Sequence, residues 1–92
     1  MRERGRVDTN QAEITEALRK HGATVQDLSG VGKGCPDKLV GWRGRNYLME
    51  IKDGKKPPSR RALSHDQVIW LNTWEGSAHV VTSVEDALAV LT

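Results

Sequence analysis

NYLMEIKD, residues 46–53, is the stretch of the sequence that predicts a fold most clearly. Side chains of a β-strand alternate between its two faces, so Glu50 and Lys52 point to one side of this strand. Met49 and Ile51 point to the other side, where a sheet can bury them. Opposite charges among apolar neighbours cost free energy on burial unless they pair or bind an ion. The strand therefore predicts either an ion pair between Glu50 and Lys52 or a functional site.

The segment before this strand predicts its partner in the sheet. Residues 38–43 (KLVGWR) predict a second strand, and Gly44-Arg45 predicts a tight turn that joins the two strands as a hairpin. Pairing outward from that turn sets position 42 opposite position 47 and brings Asp37 near Lys52. Asp37 can then share one end of the sheet with Glu50 and Lys52.

These three residues predict a definite chemistry. Two carboxylates and a backbone carbonyl are hard oxygen ligands, which Mg²⁺ or Mn²⁺ binds while it keeps several waters. A bound metal lowers the pKa of water and polarises a phosphate. The ammonium of Lys52 can orient the attacking water or stabilise charge that develops at phosphorus. Asp37, Glu50 and Lys52 thus predict the catalytic centre of a phosphodiester hydrolase; an edge-strand ion pair is the alternative.

The rest of the chain reads as further helices and strands around this hairpin. Apolar periodicity predicts helices over 9–21, 65–74 and 84–91 and strands over 23–28 and 78–82, with loops at 29–37 and 54–63. Polar residues that can cap the helices stand at their starts: Asp8 or Thr9, Ser64, and Ser83, which forms a capping-box-like start with Asp86 three residues on. The order helix, three strands, helix, strand, helix predicts one α/β sheet with helices against its faces.

The composition limits the class of protein. With 92 residues, 37% of them apolar and 28% charged, the chain is long enough for one domain, which we expect to span residues 1–92. No apolar run approaches the roughly 18 residues of a membrane span. Residues 1–7 lack the apolar stretch of a signal peptide, so we expect a cytoplasmic protein. The one cysteine, Cys35, excludes an internal disulfide and a thiolate metal cluster.

Positive charge concentrates in the middle of the chain, although the formal net charge is only +2. The loop that follows the strand 46–53 is basic, and the glycine-rich loop before Asp37 adds a lysine. Basic side chains there would supply sequence-independent affinity for a DNA backbone. The candidate DNA-binding residues are Lys33, Lys55, Lys56, Arg60 and Arg61. The alternative is a solvated surface loop without a partner.

Gly34-Cys35-Pro36-Asp37 followed by Glu50-Ile51-Lys52 resembles the signature of the PD-(D/E)xK nuclease superfamily. More closely, the chain resembles the stand-alone VRR-NUC (virus-type replication-repair nuclease) domains of phages. The segments that carry this resemblance are 8–14 (DTNQAEI), 39–41 (LVG), 47–54 (YLMEIKDG) and 66–68 (DQV). In this order they cover most of the chain, which makes the match more specific than the short motif alone.

The resemblance implies a restriction-endonuclease-like core with a mixed central sheet. It also implies a Mg²⁺ or Mn²⁺ cofactor with Asp37, Glu50 and the backbone carbonyl of Ile51 as ligands, and it adds the helix residue Glu13 to them. Helix geometry places Glu13 at the border of the apolar face, and stabilisation of the helix dipole is its alternative role. The resemblance further gives Gln67 a supporting role beside the catalytic residues; a structural hydrogen bond to a neighbouring strand is the alternative.

The resemblance implies a branched substrate as well, a four-way DNA (Holliday) junction cut by a homodimer. A symmetric dimer would bring two sites to such a substrate and would add buried surface to a small core. Two other functions stay open on the sequence. One is a non-catalytic DNA-binding module on a nuclease fold, and the other is a flap or duplex nuclease without preference for junctions.

Overall fold

The structure, a computed structural model, describes residues 10–92. Four strands form one sheet in the order β1-β2-β3-β4. They are β1 (Thr24–Asp27), β2 (Lys38–Trp42), β3 (Arg45–Ile51) and β4 (Ala78–Val81). The first three pair antiparallel, and β4 pairs parallel to β3. The mixed sheet predicted from the sequence is therefore confirmed.

Three α-helices accompany the sheet: α1 (Gln11–Lys20), α2 (His65–Thr73) and α3 (Val84–Leu91). A short 3₁₀ helix, Pro58–Arg60, lies in the loop before α2. The predicted order of helices and strands is confirmed. The predicted caps of α2 and α3 are confirmed too, because Ser64 and Ser83 each accept a hydrogen bond from the backbone three residues on. The predicted caps of α1, Asp8 and Thr9, lie outside the described residues, and its N-cap is Asn10.

The apolar core lies between one face of the sheet and the helices α1 and α3. Ile14 and Leu18 of α1 are fully buried, and Ala87 and Leu91 of α3 are nearly so. The strands contribute Val40, Met49, Ile51 and Val81, each at most 1% exposed. Since side chains alternate along a strand, Glu50 projects from the opposite face, between Met49 and Ile51.

The hairpin between β2 and β3 differs from the prediction by one residue. The turn is Arg43-Gly44, with Trp42 opposite Arg45. Both turn residues have positive φ, 50° and 81°, as a type I′ turn requires. The guanidinium of Arg43 lies 4.5 Å from the centre of the Trp42 ring, which helps to stabilise a backbone conformation that side chains other than glycine rarely adopt.

This change moves every strand pair by two residues. The predicted partner of position 42 was 47, and the predicted neighbour of Asp37 was Lys52. The structure sets Val40 opposite Tyr47 and Lys38 opposite Met49, so Asp37 lies next to Glu50 instead. A shift of two residues keeps the same side chains on each face, which is why the predicted faces of β3 are correct although the register is wrong.

Helix α2 differs from α1 and α3, because none of its residues is buried. Val68, Ile69 and Trp74 are 41%, 49% and 47% exposed. The helix lies on the face of the sheet that carries Glu50, opposite the core. Within residues 10–92, no helix has the length and apolarity that crossing a membrane requires.

Candidate active site

Asp37 and Glu50 lie side by side where β2 begins. Asp37 Oδ2 accepts a hydrogen bond of 2.9 Å from the N–H of Ile51. Within a strand the N–H and C=O of one residue point to the same edge, so the carbonyl of Ile51 also points to the side of Asp37. The structure thus brings together the two carboxylates and the backbone carbonyl that the sequence predicts as metal ligands.

Glu50 is the most constrained of these groups, with only 3% of its surface exposed. Its Oε2 accepts a hydrogen bond of 2.8 Å from Nε2 of Gln67 and lies 3.7 Å from Nζ of Lys52. Its Oε1 is buried and has no hydrogen-bond partner among the described residues. A buried oxygen without a partner is costly, and a bound cation would satisfy it.

The electrostatic surroundings of Glu50 oppose its negative charge. Burial and, after it, the neighbouring charge of Asp37 raise the pKa of Glu50 to about 8, although the charge of Lys52 acts in the opposite direction. Two carboxylates that compete for one site behave in this way when no cation lies between them. The surroundings of the two carboxylates therefore favour a positive ion between them.

Gln67 joins helix α2 to this carboxylate. Its side-chain Oε1 accepts a hydrogen bond from the backbone N–H of Ser64 at 2.9 Å, and its backbone N–H donates to Oγ of Ser64 at 3.2 Å. These two bonds form a capping box, which fixes the side chain at the helix start. The remaining amide group is then directed at Glu50. Gln67 thus makes structural hydrogen bonds at the helix start and a further one to Glu50, and its supporting role in catalysis stays a prediction.

Lys52 is held through its backbone as well as through Glu50. Its N–H donates to the carbonyl of Val81 at 2.9 Å, which continues the pairing of β3 with β4. Its carbonyl accepts from Nδ2 of Asn10 at 3.1 Å, and the same amide lies 3.3 Å from the carbonyl of Thr82. Asn10 thus ties the start of α1 to the segment that carries Glu50 and Lys52. The sequence did not predict this role, because the helix expected over 9–21 includes Asn10; the signal for it is an asparagine near a helix start.

Glu13 does not join the carboxylate pair. It is exposed on α1 and lines a separate cavity of about 540 Å³, together with Asn10, Asp53, Lys55 and Glu85. Within residues 10–92, no three His, Cys, Asp or Glu side chains are grouped to hold a metal ion. The physical reason is that α1 packs on the core face of the sheet, whereas Glu50 projects from the other face. The expectation that Glu13 completes the metal site therefore finds no support in this arrangement.

The basic loop begins immediately after Lys52, the lysine that the sequence predicts to be catalytic. Asp53 fixes its start, because its Oδ1 accepts from the N–H of Lys55 at 3.0 Å. Further along, Nε of Arg61 donates to the carbonyl of Lys56 at 2.9 Å, which closes the loop on itself. Lys55, Arg60 and Arg61 are exposed, and Lys56 is half-buried.

The loop before Asp37 lies against the start of α2. Gly34 makes the closest approach, to the backbone of Asp66. Lys33 is exposed in this loop and has a φ of 57°. Cys35 lies near both carboxylates, since its burial and then the charges of Glu50 and Asp37 raise the pKa of its thiol. A thiol with a raised pKa is a poor nucleophile, so Cys35 is no candidate for nucleophilic catalysis.

The residues present fit a hard divalent cation. Two adjacent carboxylates, the orphaned Oε1 of Glu50 and the carbonyl of Ile51 are oxygen donors of the kind that Mg²⁺ and Mn²⁺ prefer. Mg²⁺ usually keeps several waters and needs only one or two carboxylates from the protein. The absence of a third acidic group is therefore compatible with such a site.

A mixed four-stranded sheet with helices on both faces and this carboxylate pair at its end is the architecture of the restriction-endonuclease-like nuclease fold. Among solved structures, a chain described as "VRR_NUC domain" superposes on the protein with a TM-score of 0.65. The two chains share 22% of their residues, and the match covers 91% of this chain and 96% of the other. No family model matches the sequence, and no curated protein does. The protein therefore has the fold of a VRR_NUC domain, as the sequence resemblance predicts.

Proposed function

We propose that the protein is a Mg²⁺- or Mn²⁺-dependent endodeoxyribonuclease that hydrolyses phosphodiester bonds in branched DNA. One observation carries the proposal: the buried Glu50 lies beside Asp37 with one carboxylate oxygen unpartnered among the described residues. A buried carboxylate beside a second carboxylate lowers stability unless it binds something positive. A purely structural ion pair with Lys52 leaves this arrangement without a reason.

Each residue of the candidate site has a distinct proposed role. Asp37, Glu50 and the carbonyl of Ile51 would hold the metal, which supplies an activated water and a Lewis acid for the phosphate. Gln67 holds Oε2 of Glu50 and so leaves Oε1 for the metal. The ammonium of Lys52, 3.7 Å from Oε2, orients the attacking water or stabilises the charge that develops at phosphorus. Lys33 and the basic loop bind the DNA backbone without reading its sequence.

We further propose a homodimer and a four-way junction as the preferred substrate. Support comes from the exposed apolar side chains of α2, Val68, Ile69 and Trp74, which a second copy could cover. Two symmetric sites suit a junction, where two strands are cut. A flap or duplex nuclease uses the same catalytic residues but needs no dimer.

The test is cleavage of labelled four-way junction, flap and linear duplex DNA by the purified protein. We expect cleavage with Mg²⁺ or Mn²⁺, fastest on the junction, and none with EDTA. Binding without cleavage under either metal contradicts the enzyme and favours a non-catalytic DNA-binding module. Equal rates on all substrates retain the nuclease but contradict the junction preference.

A further inference from the structure

Gly34 makes the closest approach of any described glycine to another part of the chain. A Cβ placed on it would lie 2.6 Å from the carbonyl carbon of Asp66, 3.0 Å from the N of Gln67, and closer still to the carbonyl oxygen of Asp66. These are backbone atoms, so no side-chain rotation can make room. The loop and the first turn of α2 are in contact here only because position 34 has no side chain.

The contacted turn is the one that holds Gln67 on Glu50. Gln67 is fixed there by its capping box with Ser64, and its amide reaches Glu50 at 2.8 Å. To accommodate a Cβ at an ordinary contact distance, the loop and the turn must separate by about 1 Å. Such a displacement carries a hydrogen bond of this length out of the usual range of 2.7–3.2 Å.

We propose that Gly34 is a positioning residue: its missing side chain lets the loop seat the first turn of α2, and thereby Gln67, on Glu50. The structural part of this proposal stands on the contacts above, and its effect on cleavage rests on the proposed function. Gly34 acts through Gln67 and would not itself touch the DNA or the metal.

The same loop offers a matched control. Gly34 and Gly32 both have positive φ, 85° and 80°, so alanine strains the backbone equally at the two positions. A Cβ on Gly32, however, meets nothing within 4 Å. Comparison of Gly34→Ala with Gly32→Ala therefore separates the clash with α2 from backbone strain: thermal unfolding of G32A measures the cost of the strain alone, and that of G34A measures the strain and the clash together.

The first readout is activity, by single-turnover and steady-state cleavage. We expect G34A to lower kcat by about 10- to 100-fold more than G32A does, as loss of support for a metal ligand typically costs, with KM changed less than twofold. In a Gln67→Ala background, G34A should lower kcat no further, because the residue through which it acts is gone. Full additivity of the two substitutions would overturn the proposal.

The second readout needs no activity. The side-chain amide resonances of Gln67, assigned by their loss in Q67A, should move toward those of a solvent-exposed glutamine in G34A and stay in place in G32A. If wild-type protein never cuts DNA, the proposed function fails while this experiment still tests the positioning role. Identical Gln67 resonances in the two glycine variants would overturn it.

A reciprocal pair of variants covers the case in which G34A does not fold. Ser64→Ala weakens the cap of α2 and leaves the sequence of the loop before Asp37 unchanged. Because that loop contacts the first turn of α2, we expect the backbone resonances of Gly34 and Cys35 to shift. Ser83→Ala removes the equivalent cap of α3 and should leave them unchanged. Equal responses to the two serine substitutions would contradict the contact between the loop and α2.

Discussion

The two faces of the sheet differ in composition and burial. The face toward α1 and α3 buries Ile14, Leu18 and Met49 completely and carries the apolar core. The face toward α2 carries Glu50, and α2 itself has no buried residue. Burial of apolar area stabilises the first face, whereas the buried Glu50 beside Asp37 destabilises the second in the absence of a cation. The alternate residues of β3 thus contribute to the apolar core on one face and to the candidate site on the other.

The largest expected effect comes from Glu50→Gln on the chemical face. The amide keeps the volume and the contact with Gln67 but loses the charge, so we expect cleavage to fall by on the order of 10³-fold, or about 4 kcal/mol of barrier. The melting temperature should stay constant or rise, because a neutral group is buried more cheaply than a carboxylate. The measurement is metal-dependent cleavage with parallel thermal unfolding.

The control for E50Q is Glu16→Gln, which changes an exposed glutamate whose ion pair among residues 10–92 is with Lys20, at 3.5 Å. It should alter neither activity nor stability. Activity of E50Q within tenfold of wild type would contradict the role of Glu50.

Leu18→Ala tests the core face of the sheet. Leu18 is fully buried in the core, and its truncation should cost about 2–5 kcal/mol of unfolding free energy, measured by urea denaturation. The folded fraction should keep its rate, since α1 packs on the face away from Glu50. Leu88→Ala, at a half-buried position of α3, should cost less. A folded L18A protein without activity would show that the two faces are not independent.

The pH dependence of stability should sharpen the contrast. In the folded, metal-free protein the pKa of Glu50 is about 8, against an ordinary 4.5. Between these values the folded state keeps a proton that the unfolded chain releases, so the unfolding free energy falls as pH rises from about 4.5 to about 8. Below this window the contribution is fully present.

E50Q should lose this pH dependence. Mg²⁺ should stabilise the wild type more at pH values above the window than within it, because the metal binds the deprotonated carboxylate. Thermal unfolding across pH, with and without the metal, measures both effects. A wild-type profile that matches E50Q would contradict the raised pKa.

The smallest effect on the monomer is expected for Ile69→Lys on α2. Ile69 is 49% exposed, so the unfolding free energy should change by about 0.5 kcal/mol or less. If a second copy covers this surface, the substitution should dissociate the dimer in sedimentation experiments. A wild-type protein that sediments as a monomer contradicts the homodimer but leaves the catalytic residues unaffected.

Much of the fold could be predicted because its signals are local. The caps at Ser64 and Ser83 and the alternation along β3 depend on residues a few positions apart. The turn was misplaced because Arg43 adopts a positive φ that sequence rules reserve for glycine, asparagine and aspartate. The stacking of the Arg43 guanidinium on Trp42 is a contact that the sequence alone does not predict.

The candidate site was predictable in part for the same reason. Glu50 and Lys52 share a face by alternation, and the motif supplied Asp37. The predicted place of Glu13 beside them finds no support in the structure, because helix geometry gives the direction of a side chain around its own axis but not the face of the sheet on which the helix packs. Asn10 and Gly34 were missed, since each acts on residues far along the chain.

The sequence by itself determined the order of helices and strands, the caps of α2 and α3, and the shared face of Glu50 and Lys52, since these follow from interactions within one or two turns or within one strand. Only the tertiary structure decided that Asp37 lies beside Glu50, that Gln67 reaches this carboxylate, and that one of its oxygens is left without a partner among the described residues. The physical reason is that such contacts join distant parts of the chain, and their distances depend on the register of β2 with β3 and on how closely the loop at Gly34 approaches α2.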